Sequence, residues 1–278
     1  MKIITRISFA VLAAVAFGVP DISARQYEAY IDSAENYIKR DRYAEAAECY
    51  RNALRDSPGS PLNSKIFANL GICLTETGDL DGALQAFDVA LVREPSSAAI
   101  LNSRAKTHLL RNDKDAAMKD LNMALTSDSL HAESLKLRAQ IEMLDKEYTH
   151  ALADFTTLRK VSPEDPWGAA GMAECHSATG GATKSIDLYL EAIGIEDRPE
   201  FNVALATVLI NAGQLQQAAD ILREAIRRHP RTGELYLMRG VLHLRKYRND
   251  DALTDKKTAI SLGVEPEMAE RLIPGKIR

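Results

Sequence analysis

Phe67-x-x-Leu70-Gly71-x-x-Leu74, continued by Gly78, Ala83, Phe87, Ala90 and Pro95, is the stretch that decides the fold. It reads as a helix with a small residue in its apolar stripe, a break at Gly78, and a second helix in which Ala83 and Ala90 flank the large Phe87. Pro95 then stops the second helix where the chain must turn. The same frame can be laid along residues 25–266 as seven units: 27–60, 64–97, 98–131, 132–165, 166–198, 199–232 and 233–266.

The test of the frame is whether fixed positions repeat their chemistry. Position 8 is Ala34, Gly71, Ala105, Ala139, Ala173, Ala206 and Gly240; position 20 is Ala46, Ala83, Ala117, Ala151, Ser185, Ala218 and Ala252. Position 27 is Ala53, Ala90, Ala124, Leu158, Ala192, Ala225 and Ala259. Only Leu158 is larger than Ser, although such small residues make up roughly a fifth to a quarter of an ordinary chain. Helix axes approach to about 8 Å only where side chains are small, which is the reason for this pattern. Position 24 is large in six units, at Tyr50, Phe87, Leu121, Phe155, Tyr189 and Leu222, and Lys256 in the seventh. Position 15, between the helices, is Asp41, Gly78, Asn112, Gly180 and Gly213 in five units, types that tolerate a left-handed backbone; Lys146 and Tyr247 depart from this. Pro58, Pro95, Pro163 and Pro230 close four units.

These residues closely resemble the tetratricopeptide repeat, a 34-residue helix-turn-helix unit. The resemblance implies an all-α fold, a right-handed α-solenoid of antiparallel helix hairpins whose first helices line a concave, peptide-binding face. Lys256 in place of an apolar residue suits a terminal repeat whose outer face meets solvent, and residues 267–278 are expected to form a cap and tail begun by a short helix at Pro266.

Residues 1–24 differ from the rest. Lys2 and Arg6 precede an uncharged run from Ile7 to Val19, Pro20 breaks it, and Ile22-Ser23-Ala24 offers a small residue for cleavage. This reads as a secretory signal peptide, with an uncleaved membrane anchor as the alternative, although the run is shorter than the roughly 20 residues a membrane-spanning helix needs. The expected location is therefore periplasmic or secreted. The net charge of −4 and pI of about 5.9 give the chain as a whole no basic surface for nucleic acid.

By the resemblance, positions 2, 5, 6, 9, 12 and 13 face a partner. In the first four units they include Glu28, Asp32, Glu35, Lys65, Asn69, Asn102, Lys106, Lys136 and Gln140, a polar set of mixed sign. Later units offer Trp167, Val203, Ile210, Leu237, Val241 and Leu244. Two readings stand side by side: these apolar residues meet an extended partner, or they pack against neighbouring helices. Trp167 is likewise either an interface anchor or an ordinary half-buried aromatic. The family's carboxylate-clamp subtype is not matched: Ile31, Glu35, Asn69, Ala99 and Ser103 occupy its positions, and only Asn69 fits.

Chemistry is sparse. His108, His176 and His243 all fall at position 11, but alternate units stand about 20 Å apart, too far to share a metal, and packing is the expected role. Cys49, Cys73 and Cys175 form no CxxC; an oxidising compartment would allow Cys49 and Cys73 to pair, and buried free thiols are the default. The five basic side chains among Arg223–Arg231 read as a solvated helix face. No phosphate loop or hydrolase motif occurs, so no catalytic, cofactor or metal residue is named. The leading expectation is a non-catalytic interaction scaffold in the cell envelope. The alternatives are an accessory subunit of an outer-membrane assembly, secretion or uptake complex, and, from another class, an enzyme on a solenoid scaffold.

Overall fold

The computed structural model describes residues 22–275, with side chains from Arg25 onward. The n-region and apolar run of the expected signal peptide lie outside the described residues, as do residues 276–278. Ile22, Ser23 and Ala24 belong to the first helix. The chain divides into two compact units, residues 1–134 and 135–278.

In the first unit the helices are α1 (Ile22–Ile38), α2 (Tyr43–Asp56), α3 (Asn63–Thr77), α4 (Leu80–Arg93), α5 (Ala98–Leu110) and α6 (Lys114–Ser127). Helix α7 (Ala132–Leu144) begins at the end of that unit and continues into the second. The second unit continues with α8 (Tyr148–Val161), α9 (Pro166–Ala178), α10 (Ala182–Ile195), α11 (Pro199–Asn211), α12 (Leu215–Arg228), α13 (Gly233–Arg245), α14 (Asn249–Ser261) and α15 (Pro266–Leu272). No strand occurs among the described residues.

The small positions work as the frame requires. All residues at positions 8, 20 and 27 are buried, Leu158 included. The large residues at position 24 fill the space beside them, with Tyr50, Phe87, Leu121 and Leu222 wholly inside. In the last hairpin the expectation for Lys256 needs correction. It is 9% exposed, because α15 covers it and Glu270 takes its ammonium in an ion pair. Helix α15 also brings Ala269 and Ile273 into the core, and a Cβ at Gly240 would stand 2.5 Å from Ile273 Cδ1. Pro166, Pro199 and Pro266 start α9, α11 and α15, where the missing N–H costs no helical bond.

The hairpin turn is the same in every case. The N–H of position 16 donates to the carbonyl of position 11, as in Asp79 to Leu74 (2.9 Å), Asp113 to His108 (2.8 Å) and Gln214 to Leu209 (2.9 Å). This six-to-one bond is a Schellman closure, and it needs a left-handed residue between its ends. Position 15 supplies it throughout, including the two residues that depart from the sequence pattern: φ is +64° at Lys146 and +56° at Tyr247. For a residue with a Cβ that backbone costs about 1–2 kcal/mol. Tyr247 is 93% exposed, so its side chain returns little in packing. Tyr247→Gly is therefore expected to stabilise the last hairpin by about 1 kcal/mol, after allowing for glycine's extra freedom in the unfolded chain. Urea unfolding of the two proteins checks this, and a lower midpoint for the glycine variant would show that the tyrosine ring matters more than the backbone.

Candidate interaction surface

The residues expected to face a partner separate into three groups. Glu28 and Asp32 are exposed on α1, while Glu35, Lys65, Lys106, Lys136, Gln140, Trp167, Val203, Val241 and Leu244 are half-buried. Asn69, Asn102, Ile210 and Leu237 are buried and do not form a contact surface as expected. Leu237 and Ile210 belong to the core of the second unit, with Leu237 wholly enclosed. Asn102 is 1% exposed and accepts a hydrogen bond from Ser134 Oγ at 3.5 Å; Ser134 Oγ in turn lies 2.9 Å from His131 Nδ1. Position 5 is buried at Ile31, Ala68, Asn102, Ala170 and Leu237, while Val203 at the same position is half-buried. Lys136, at the same position, is long enough to keep its ammonium at the surface.

Around Trp167 the second unit builds an ordered aromatic cluster. Asp165 caps α9, its Oδ1 accepting from the Trp167 N–H at 2.9 Å and its Oδ2 pairing with Lys136 Nζ at 2.9 Å. Phe201 meets the indole edge-on, with ring centroids 5.2 Å apart. Lys136 Nζ and Arg198 Cζ lie 5.5 and 5.8 Å from the indole centroid, within cation–π range. Trp167 is held in one orientation and still half-exposed, which satisfies both readings of it: it packs, and it presents a rigid aromatic surface.

The second helices behave differently. On α2, α12 and α14 exposed charges are neutralised locally, by Arg42–Glu45, Arg51–Glu48, Arg223–Asp220, Arg227–Glu224 and Arg248–Asp251, each at i,i+3, while Arg159 of α8 pairs across to Glu191 of α10. The basic stretch from Arg223 is part of this pattern, and Asp197 pairs with Arg228 at 2.5 Å and with His229 at 3.0 Å.

Sequence reading missed three ion pairs, each between an enclosed aspartate and a half-buried arginine. Arg104 grips Asp120 through Nε (2.7 Å) and Nη2 (2.6 Å), Arg138 grips Asp154 (2.7 and 2.8 Å), and Arg239 grips Asp255 (2.8 and 2.6 Å). Each joins position 7 to position 23 across one hairpin. The two-point grip holds all three arginines above their ordinary range, against a smaller opposing effect of burial. The signal was available in the repeat frame: the other hairpins carry neither partner, with Ser33 and Cys49, Leu70 and Ala86, Met172 and Leu188, Leu205 and Ile221 in the same places.

Two further expectations meet the structure here. The three thiols are free, so Cys49 and Cys73 do not pair: Cys73 is wholly inside the core while Cys49 is only half-buried. Burial pushes the Cys73 thiol up to about 12, and Cys175 directs its Sγ at Met143 Sδ, 3.2 Å away. His108 and His243 pack inside their hairpins beside Asp120 and Asp255. Among the described residues no group of three or more His, Cys, Asp or Glu could hold a metal ion, and no helix is long and apolar enough to cross a membrane.

The family model for the tetratricopeptide repeat matches residues 31–99 and 203–256. Tetratricopeptide repeat protein 34 of Xenopus laevis is 24% identical over 242 residues, which are 84% of this chain but 40% of the frog protein. The chain thus spans well under half the length of that relative. A crystal structure of a tetratricopeptide repeat protein from Parabacteroides merdae superposes with a TM-score of 0.68 at 24% identity, covering 90% of this chain and 98% of that one. The structure of the APC/C hetero-tetramer Cut9-Hcn1 gives 0.64 at 12% identity, over 89% of this chain and 52% of that one. The matched segments are tetratricopeptide repeats, and the chain's 15 described helices accord with about seven such repeats. The fold is one that in general mediates protein–protein interaction.

Proposed function

We propose that the protein is a non-catalytic scaffold of the cell envelope, which binds an extended or helical segment of another protein on the faces of its first helices. The carrying observation is the contrast between the two helix sets. Helices α12 and α14 spend exposed charge on local pairs, whereas Trp167, Val203, Val241 and Leu244 on first helices of the second unit stay half-exposed, with Trp167 a rigid aromatic anchor among them. Rigid aromatics surrounded by half-buried apolar side chains are where binding energy concentrates. Residues 1–24 support the envelope location by their signal-like composition.

The test is photo-crosslinking in the native cell envelope. Probes replace Lys106 and Gln140 on first helices and Arg223 on the second helix α12. A discrete protein captured from Lys106 or Gln140 and not from Arg223 is the expected result. Capture from Arg223 alone, or from none of them, sinks the assignment of the face.

A further inference from the structure

The three Arg–Asp pairs share a third neighbour. Position 11 of each hairpin, one turn beyond the arginine, faces the pair: His108 beside Arg104–Asp120, Glu142 beside Arg138–Asp154, and His243 beside Arg239–Asp255. His108 Nε2 lies 3.9 Å from Asp120 Oδ2, His243 Nε2 lies 3.5 Å from Asp255 Oδ2, and Glu142 Oε1 lies 4.0 Å from Arg138 Nε. All three side chains are largely enclosed, at 14%, 16% and 13% exposure. Each also buries one polar atom with no hydrogen-bond partner: Nδ1 of His108, Nδ1 of His243 and Oε2 of Glu142.

An Arg–Asp pair is neutral overall. A neutral imidazole beside it adds no charge, and protonation adds a positive one in a poorly solvated place; at Arg104 the exposed carboxylate of Asp88 stands as a further negative group on the solvent side. A glutamate beside the same pair adds a negative charge until it takes up a proton. We propose that acid therefore acts in opposite directions on the hairpins of this chain, opening α5/α6 and α13/α14 at their histidines and closing α7/α8 at Glu142. The array thus carries a built-in pH response written at position 11.

The surrounding charges leave burial in command. His108 is faced by Asp120 of α6 and Asp113 of the turn, which favour its protonation, and by Arg104 and Arg111, which oppose it; burial outweighs them and lowers it from 6.5. His243 is faced by Asp255 and Asp251 of α14 and opposed by Arg248 and Arg239, with the same outcome. Glu142 is faced by Asp154 and Glu147, which raise it, and by Arg138 and His150, which lower it; burial raises it above 4.5. For the histidines the folded state binds its proton later than the unfolded chain. Their contribution is whole above about pH 6.5 and is lost as the pH falls through the window below it. For Glu142 the folded state binds its proton earlier. Its contribution is whole below about pH 4.5 and is lost as the pH rises towards the folded-state value.

Native-state hydrogen exchange of the full chain, followed by mass spectrometry from about pH 7.5 to about pH 4 and corrected for intrinsic exchange, reads the three hairpins separately. Opening of α5/α6 and α13/α14 is expected to rise by up to about tenfold per pH unit below 6.5, while opening of α7/α8 falls as the pH drops towards 4.5. His108→Gln should abolish the response in α5/α6 alone, and Glu142→Gln the response in α7/α8 alone. Histidine titration of the wild-type chain by NMR gives a second reading that needs no variant to fold: midpoints of His108 and His243 below 6.5 support the proposal. Midpoints at or above 6.5, a response of one sign in all three hairpins, or a response that survives His108→Gln would each overturn it.

Discussion

Asp120→Ala is expected to destabilise the α5/α6 hairpin by about 3 kcal/mol, at the lower end of the range for a buried charge left without its partner. Asp120 is 2% exposed and takes two hydrogen bonds from Arg104, whose side chain is 19% exposed. Removing the carboxylate leaves a guanidinium that cannot shed its charge. The lower end applies because Arg104 Nη1 also reaches Asp88 of α4 at 2.6 Å, a partner that remains. The double replacement Arg104→Met with Asp120→Leu has a different expectation, within about 1 kcal/mol of wild type, since apolar residues of similar volume often substitute for a buried pair without loss. The chain already contains that solution, with Met172 and Leu188 at the same two positions of the α9/α10 hairpin. Exchange of the α5/α6 amides measures both variants. A double variant as unstable as Asp120→Ala would mean that the ion pair itself, rather than the avoidance of an orphaned charge, holds this hairpin.

What was legible in the sequence follows from what repeats. Positions 8, 20 and 27 carry a steric constraint that small side chains meet in every unit except at Leu158, and their recurrence is what carried the resemblance to the tetratricopeptide repeat. The turn was legible for a different reason: Gly78, Gly180 and Gly213 advertise a left-handed backbone, whereas Lys146 and Tyr247 adopt the same φ and conceal it. The Arg–Asp pairs went unread because each residue alone looks like a surface charge. Only the joint presence of both, in three hairpins and in none of the others, marks them as one structure. The interaction face was the least legible part. Position 5 lies at different depths in different units, so Asn102 and Leu237 are core while Lys136 and Val203 are only half-buried. A phase taken from the family cannot resolve that, since neighbouring helices decide how deep each residue lies.

Phe87→Ala is expected to cost about 3–5 kcal/mol, the range for emptying a fully buried aromatic site. The informative experiment couples it to Gly71. A Cβ built on Gly71 of α3 would stand 2.8 Å from Phe87 Cε1 and Cζ of α4, closer than packed atoms tolerate. The ring is enclosed on every side and cannot swing away. Gly71→Ala should therefore cost about 1–2 kcal/mol through overpacking, even though alanine favours the helix by about 1 kcal/mol over glycine. Phe87→Leu alone leaves a void. The two together reproduce the combination found at Ala105 with Leu121 and at Ala206 with Leu222; Ala34, Ala139 and Ala173 stand instead with the aromatics Tyr50, Phe155 and Tyr189, so the close approach tested is particular to Gly71 and Phe87. The double variant should be more stable than the sum of its parts by about 1 kcal/mol or more, a coupling expected only of residues in direct contact. Denaturant unfolding of the four proteins supplies the cycle. If the two effects simply add, Gly71 is not matched to Phe87, and the small residue in this hairpin must rest on helix approach alone.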